Sequence, residues 1–239
     1  MKIRNETGSD RERLITPCYE CGFFDKTKNL FKGECKLGKL EIYEEQDLVQ
    51  ETSDGPEILT FCSFARPIEW IEKHGTDQVY KDNNLRYDVI LRITDPNEIS
   101  YVDELSKWNL PPQKIVVSYT DLNTVDLIGK FQTKNVVLTK IFDNRADNEV
   151  RNCKSKYILI LDEYKDYSKT IEELNERLQN IERIIACVNW PDVLFMRYLY
   201  EVMKANSLEF CEENLVQAGK DSNPKMVKRF DETSIRDYS

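Results

Sequence analysis

From Tyr87 onward the chain repeats an alternation that few architectures tolerate: a short apolar run rich in β-branched residues, then a stretch of helical spacing, then another run. Residues 87–93, 114–119, 135–139, 157–162 and 184–188 read as strands. The segments between them read as helices: 98–108 with Ile99, Val102 and Leu105 on one face, 124–131, 147–154, and 169–180. Ser168 is the expected cap of the last of these, with Glu172 and Glu173 in its first turn, where the helix dipole favours negative charge. Residues 190–205 read as a further helix. Near-continuous apolar strands separated by helices imply βαβ units and a sheet covered on both faces. The expectation is an α/β domain over residues 85–218 with a mostly parallel sheet flanked by helices. Residues 219–239 are polar and charged and read as a tail.

The part ahead of this domain is built differently. Residues 1–16 are polar and read as an arm ordered by a partner. Residues 17–78 show little helical periodicity but hold four of the seven cysteines, as Cys18-x2-Cys21-x13-Cys35-x26-Cys62. A Cys-x2-Cys pair offers two thiolates to one ion from a tight turn. Gly22 follows that pair, and Gly33 stands just before Cys35. Four thiolates suit a closed, tetrahedral structural zinc site, with no open position for catalysis. Zinc contributes about 10–16 kcal/mol in small zinc modules, enough to fold a segment with few apolar residues. Four unrelated reduced cysteines, or an iron–sulfur cluster, are the alternatives. Disulfides fit less well, because the N-terminus carries no export signal. Cys153, Cys187 and Cys211 lie on apolar or helical stretches and read as packing residues.

Composition excludes several functions. Of 239 residues, 32% are charged and the net charge is −9, which disfavours non-specific binding to nucleic acid or anionic membranes. The run Lys26, Lys28, Lys32, Lys36 and Lys39 is the one local exception, and it keeps a nucleic-acid-binding module as a third reading. No apolar run is long enough to cross a bilayer. The expected location is the cytoplasm, or a virion assembled there. Abundant Lys, Asn, Ile, Glu, Asp and Tyr beside only 8 Gly and 8 Pro match the AT-rich coding common in phages.

The order of the α/β segments resembles family 2 glycosyltransferases of the GT-A type. Residues 87–93 followed by Thr94-Asp95-Pro96-Asn97-Glu98 look like that family's opening strand and nucleotide loop. Residues 110–117 look like the approach to its second strand. The stretch from Asn148-Glu149-Val150-Arg151-Asn152 to Ile160-Leu161-Asp162 is similar to its Arg-Asn helix and the strand leading to its Asp-x-Asp metal motif. The resemblance implies a GT-A or Rossmann-like fold that takes a nucleotide sugar, with Asp95, Asp121 and Asp162 facing the nucleotide. A divalent Mn2+ or Mg2+ ion would neutralise the diphosphate. Glu212 or Glu213 would be the carboxylate base, with Asp162 at the metal.

The chain also departs from the family. Its second strand ends Val117-Ser118-Tyr119-Thr120-Asp121, so Asp121 falls late for the acidic residue expected there. After Asp162 come Glu163-Tyr164-Lys165-Asp166, with Tyr164 in place of the second Asp. These departures favour a degenerate domain acting as a non-catalytic binding and assembly protein with protein partners. An active transferase is the alternative. It requires Asp162 and Asp166 to converge on one point that neither Tyr164 nor Lys165 fills.

Overall fold

The computed structural model describes residues 2–3, 13–14, 18–28, 33–53, 55–59, 62–119, 135–140, 146–180 and 182–238. The chain divides into two compact units, Met1–Asn84 with Gln179–Ile181, and Leu85–Leu178 with Glu182–Ser239.

The first unit is made of small ladders and short helices. Strand β1 (Lys2–Ile3) pairs antiparallel with β2 (Arg13–Leu14), so part of the stretch read as an arm is a two-stranded ladder. Strands β3 (Phe24–Asp25) and β4 (Glu34–Cys35) pair antiparallel, as do β5 (Val49–Thr52) and β6 (Gly55–Ile58). Helix α1 (Lys39–Glu45) lies between the two pairs in sequence, and α2 (Ile68–His74) and α3 (Thr76–Asp82) follow them. These helices depart from the expectation of little helical structure here. The core is small: Phe23, Phe64 and Val79, with Cys21, Leu37, Cys62, Trp70, Ile71 and Tyr80 packed around them.

The second unit is a three-layer α/β/α domain of the Rossmann or GT-A kind. Its strands are β7 (Tyr87–Ile93), β8 (Lys114–Tyr119), β9 (Val136–Lys140), β10 (Tyr157–Leu161), β11 (Ala186–Asn189), β12 (Asp192–Met196), β13 (Val227–Phe230) and β14 (Ile235–Asp237). They form one sheet in the order β14-β13-β11-β12-β10-β7-β8-β9. The strands β9, β8, β7 and β10 run parallel, as do β11 and β13, while β12 and β14 pair antiparallel with their neighbours.

Alternation along each strand fills both faces. Val89, Leu91, Val117 and Leu159 pack on one side with Val102 and Leu105 of α4 (Tyr101–Ser106) and Ile171 and Leu174 of α6 (Ser168–Gln179). Ile90, Val116, Ile158 and Ile160 pack on the other with Val150 of α5 (Asp147–Arg151), Leu199 and Met203 of α7 (Arg197–Ala205), and Leu215 of α8 (Glu212–Ser222). The sheet is therefore covered on both sides, which is why its strands read as unbroken apolar runs.

Three expectations need correction. Residues 190–205 are not one helix. Asn189 pairs with Asp192 across a two-residue turn at Trp190 and Pro191, and Val193, Leu194 and Phe195 are buried in β12 before α7 begins. The segment's apolar period was that of a strand for its first half. Residues 219–239 are not a tail: Val227, Phe230 and Ile235 are buried in the sheet. Their charged neighbours hide this alternation, since Arg229 and Arg236 face outward opposite each other in the β13–β14 ladder. Finally, α6 starts at Ser168, and the side chain that caps it is Asp166, whose Oδ1 accepts from the Ser168 amide at 2.9 Å. The expected helix at 124–131 lies outside the described residues.

Replacing Phe230 by Ala should therefore cost about 3–5 kcal/mol, as for a core aromatic. A urea unfolding midpoint lowered at constant slope would show it, whereas a tail residue would move stability by less than about 0.5 kcal/mol.

Candidate functional site

The chain leaves β7 for β8 on one side and later returns to β10 on its other side. In open α/β sheets such a reversal opens a crevice at the carboxyl ends of the two diverging strands, and ligands bind there. The ends in question are Ile93 of β7 and Leu161 of β10, and the next residues are Thr94-Asp95 and Asp162.

Register decides what meets at that point. Leu161 lies beside Leu91 in the parallel ladder, so Asp162 comes next to Arg92 one step on. Arg92 and Asp162 each follow an Ile by two residues, Ile90 and Ile160. Both therefore leave the sheet on the face that α5 covers. The Arg92 guanidinium donates to both oxygens of Glu149 from α5, at 3.0 and 3.1 Å, and approaches Asp162 Oδ1 at 3.4 Å. Glu149 is buried, so its charge requires such a partner. Burial alone would lower the pKa of Arg92. The hydrogen bonds and charge of Glu149, followed by Asp162, outweigh burial and raise it above the usual value.

The other residues of the expected metal motif turn elsewhere. The Tyr164 ring stacks on Tyr101, with centroids 4.5 Å apart. Lys165 Nζ donates to Asp192 Oδ2 at 2.6 Å, and Asp166 is the α6 cap. Asp192 is fully buried and accepts two more hydrogen bonds, from the Asp162 amide at 3.0 Å and the Tyr167 hydroxyl at 2.8 Å. That pairing raises the pKa of Lys165. Asp95 is engaged locally: it accepts from the Asn97 amide at 2.7 Å, while Glu98 accepts from the amides of Thr94 and Asp95. This is a capping box, a structural role. Asp121 lies outside the described residues.

Glu212 and Glu213 open α8. The Tyr238 hydroxyl donates to Glu212 at 2.9 Å, and Glu212 borders a cavity of about 470 Å³ at the carboxyl ends of β11 and β13, together with Trp190, Arg229 and Arg236. Glu213 accepts a weak contact from Cys211 Sγ at 3.8 Å. Arg151 and Asn152 do not reach the crevice: Asn152 folds back on the Asn148 carbonyl and Arg151 is exposed. Sequence reasoning missed Arg92, Glu149, Asp192 and Tyr167. The available signal was charge inside apolar runs, since Arg92 and Asp88 interrupt an otherwise hydrophobic strand.

In the first unit Cys18, Cys21, Cys35 and Cys62 line one cavity of about 20 Å³. Cys18 and Cys21 flank a tight turn closed by the Cys21 amide on the Cys18 carbonyl at 3.0 Å. Cys35 comes from β4, and Cys62 opens a turn closed by the Ala65 amide at 3.2 Å. The glycines beside these turns are sterically required. A Cβ at Gly22 would lie 2.7 Å from the Ile68 backbone, and one at Gly33, where φ is 67°, would strike the Phe24 ring at 2.2 Å. Burial, then the neighbouring Cys62, Cys21 and Cys35, pushes the Cys18 thiol up to about 12. Among the described residues no group of three or more His, Cys, Asp or Glu side chains has the geometry of a metal site. The four thiols nonetheless line this one cavity, from three segments of the chain. His74 takes no part: its Nδ1 is 2.9 Å from the Trp70 carbonyl and its ring stacks on the Trp70 indole. The basic run is not one solvated stripe, because Lys39 is buried, Lys26 sits over the Tyr19 ring at 3.4 Å and Lys28 pairs with Glu34. No helix among the described residues is long and apolar enough to cross a membrane.

No family model matches the sequence, and no curated protein matches it. Among solved structures the chain is similar to 4-diphosphocytidyl-2C-methyl-D-erythritol synthase from Anaerococcus prevotii DSM 20548. The identity is 12% and the TM-score 0.42, over 66% of this chain and 89% of that one.

The Arg92–Glu149 pair makes a direct prediction. Glu149→Ala leaves the partly exposed Arg92 guanidinium without its main partner and should lower stability in chemical denaturation, by less than the roughly 3–5 kcal/mol of a fully buried pair. Replacing both residues by Met should recover most of that loss, because the uncompensated charge is gone.

Proposed function

We propose that the second unit is a glycosyltransferase-like domain that serves as a binding and assembly module and does not catalyse transfer. The observation that carries this reading is the cation already placed at Asp162. In the family it resembles, the carboxylates of the metal motif gather a divalent ion that neutralises a diphosphate. Here the guanidinium of Arg92, fixed by Glu149, stands 3.4 Å from the one carboxylate that keeps the motif's position. A Mn2+ or Mg2+ ion arriving at Asp162 would have to compete with that guanidinium for the carboxylate. The second carboxylate is also lacking, because Asp166 caps α6 and Tyr164 is stacked on Tyr101.

Composition alone supports placing such an assembly in a phage virion.

Calorimetry of the purified protein against UDP- and GDP-sugars, with and without Mn2+, tests the reading. The expected result is no metal-dependent heat. Metal-dependent binding that vanishes in Asp162→Ala would instead establish a working donor site and return the domain to the transferases, with Glu212 as the first base to mutate.

A further inference from the structure

We propose that Cys18, Cys21, Cys35 and Cys62 bind one zinc ion that joins three separate turns of the first unit. The argument begins with convergence. The four sulfurs come from a Cys-x2-Cys turn, from strand β4 and from the turn at Cys62, segments that have no helix or sheet in common, yet all four border the same cavity. Chance placement of four reduced thiols would not bring the ends of a 45-residue stretch to one point.

The donor set selects the ion. Four sulfurs with no carboxylate or imidazole suit a soft or borderline cation in a tetrahedral site. A zinc ion with four thiolates would draw the sulfurs inward to about 2.3 Å, closing the site. The ion would be structural, since no coordination position is left for water or substrate.

The surroundings fit such a centre. Phe23, Phe64 and Leu40 also line the cavity, and the Tyr43 hydroxyl donates toward the Cys62 sulfur. Hydrogen bonds to metal-bound sulfur orient the ligand and moderate its charge. Among the described residues the unit's buried apolar side chains are few, Phe23, Phe64 and Val79 in one cluster with Leu40, Tyr43 and Ala65 besides, and domains with so small a core are commonly held by a metal.

Elemental analysis of the protein purified without added metal should find one zinc per chain. Removing it with a strong chelator and adding Co2+ should produce the intense charge-transfer and d–d absorption of tetrahedral thiolate coordination. Zinc should then displace that spectrum stoichiometrically. Cys62→Ser should abolish or markedly alter the spectrum, while Cys211→Ser leaves it unchanged. Because Cys62→Ser can unfold the unit, hydrogen exchange on the wild-type chain gives a second reading: chelation should accelerate exchange across residues 18–65 and leave strands β7 and β10 protected. A protein that carries no metal and gives no tetrahedral Co2+ spectrum overturns the proposal. So does one whose four thiols are joined as disulfides, or one that carries iron with sulfide.

Discussion

Strand β10 buries all five of its residues, and most of the larger unit is arranged to make that possible. A strand buried on both faces cannot satisfy its backbone with water, so it needs a ladder partner on each edge. It finds β7 parallel on one side and β12 antiparallel on the other. Its side chains need two apolar layers, which α4 and α6 supply on one face and α5 and α7 on the other. The antiparallel β12 is part of that solution. It returns through a two-residue turn from β11 and covers the β10 edge at once, where another parallel strand would have needed a long crossover.

Burying that centre forces charged groups into defined places. Asp88, Glu149 and Asp192 are each almost fully removed from solvent, and each is compensated. Asp88 accepts from the amides of Lys154 and Ser155 and from the Ser155 hydroxyl, which ties the start of β7 to the turn before β10. Asp192 ties the end of β10 to Lys165 and Tyr167. Glu149 holds Arg92. An unpaired carboxylate at any of these positions would cost several kcal/mol, so these contacts fix the strand ends. The same guanidinium that compensates Glu149 also reaches Asp162 in the crevice, at 3.4 Å.

Much of this fold was legible because the strands of a covered sheet are apolar throughout. Residues 87–93 and 114–119 match β7 and β8 at both ends, and 157–162 overruns β10 by one residue. What failed were segments whose pattern is ambiguous at short range. The apolar run at 192–196 suits a strand or a buried helix equally, and only the β11–β12 pairing decides it. Residues 227–237 carry Lys228, Arg229 and Arg236 among their apolar positions, so an alternating edge of the sheet looked like polar tail. The crevice was harder still. Asp162 was visible from its position after an apolar strand, but its partner Arg92 is fixed by inter-strand register, and Glu149 by the packing of α5. Neither relation is local in sequence.

The two units illustrate two ways a chain of this composition can hold a unique structure. The larger one has a continuous sheet and two apolar clusters, so area removed from water supplies its stability, at roughly 25 cal/mol per Å². The smaller one has two-residue and four-residue strands, helices of seven residues and a three-residue central cluster. Helices that short are marginal without tertiary support, and isolated two-stranded ladders are no better. Among the described residues, four thiols around one small cavity are a feature that would restrict its loops if they held the ion proposed above. The glycines at 22 and 33 point the same way. Each sits where any side chain would collide with Ile68 or Phe24, so the backbone around the cysteines is held to one tight path. That degree of constraint is hard to explain by the small core alone, and it follows directly if the path must present four sulfurs to a single ion.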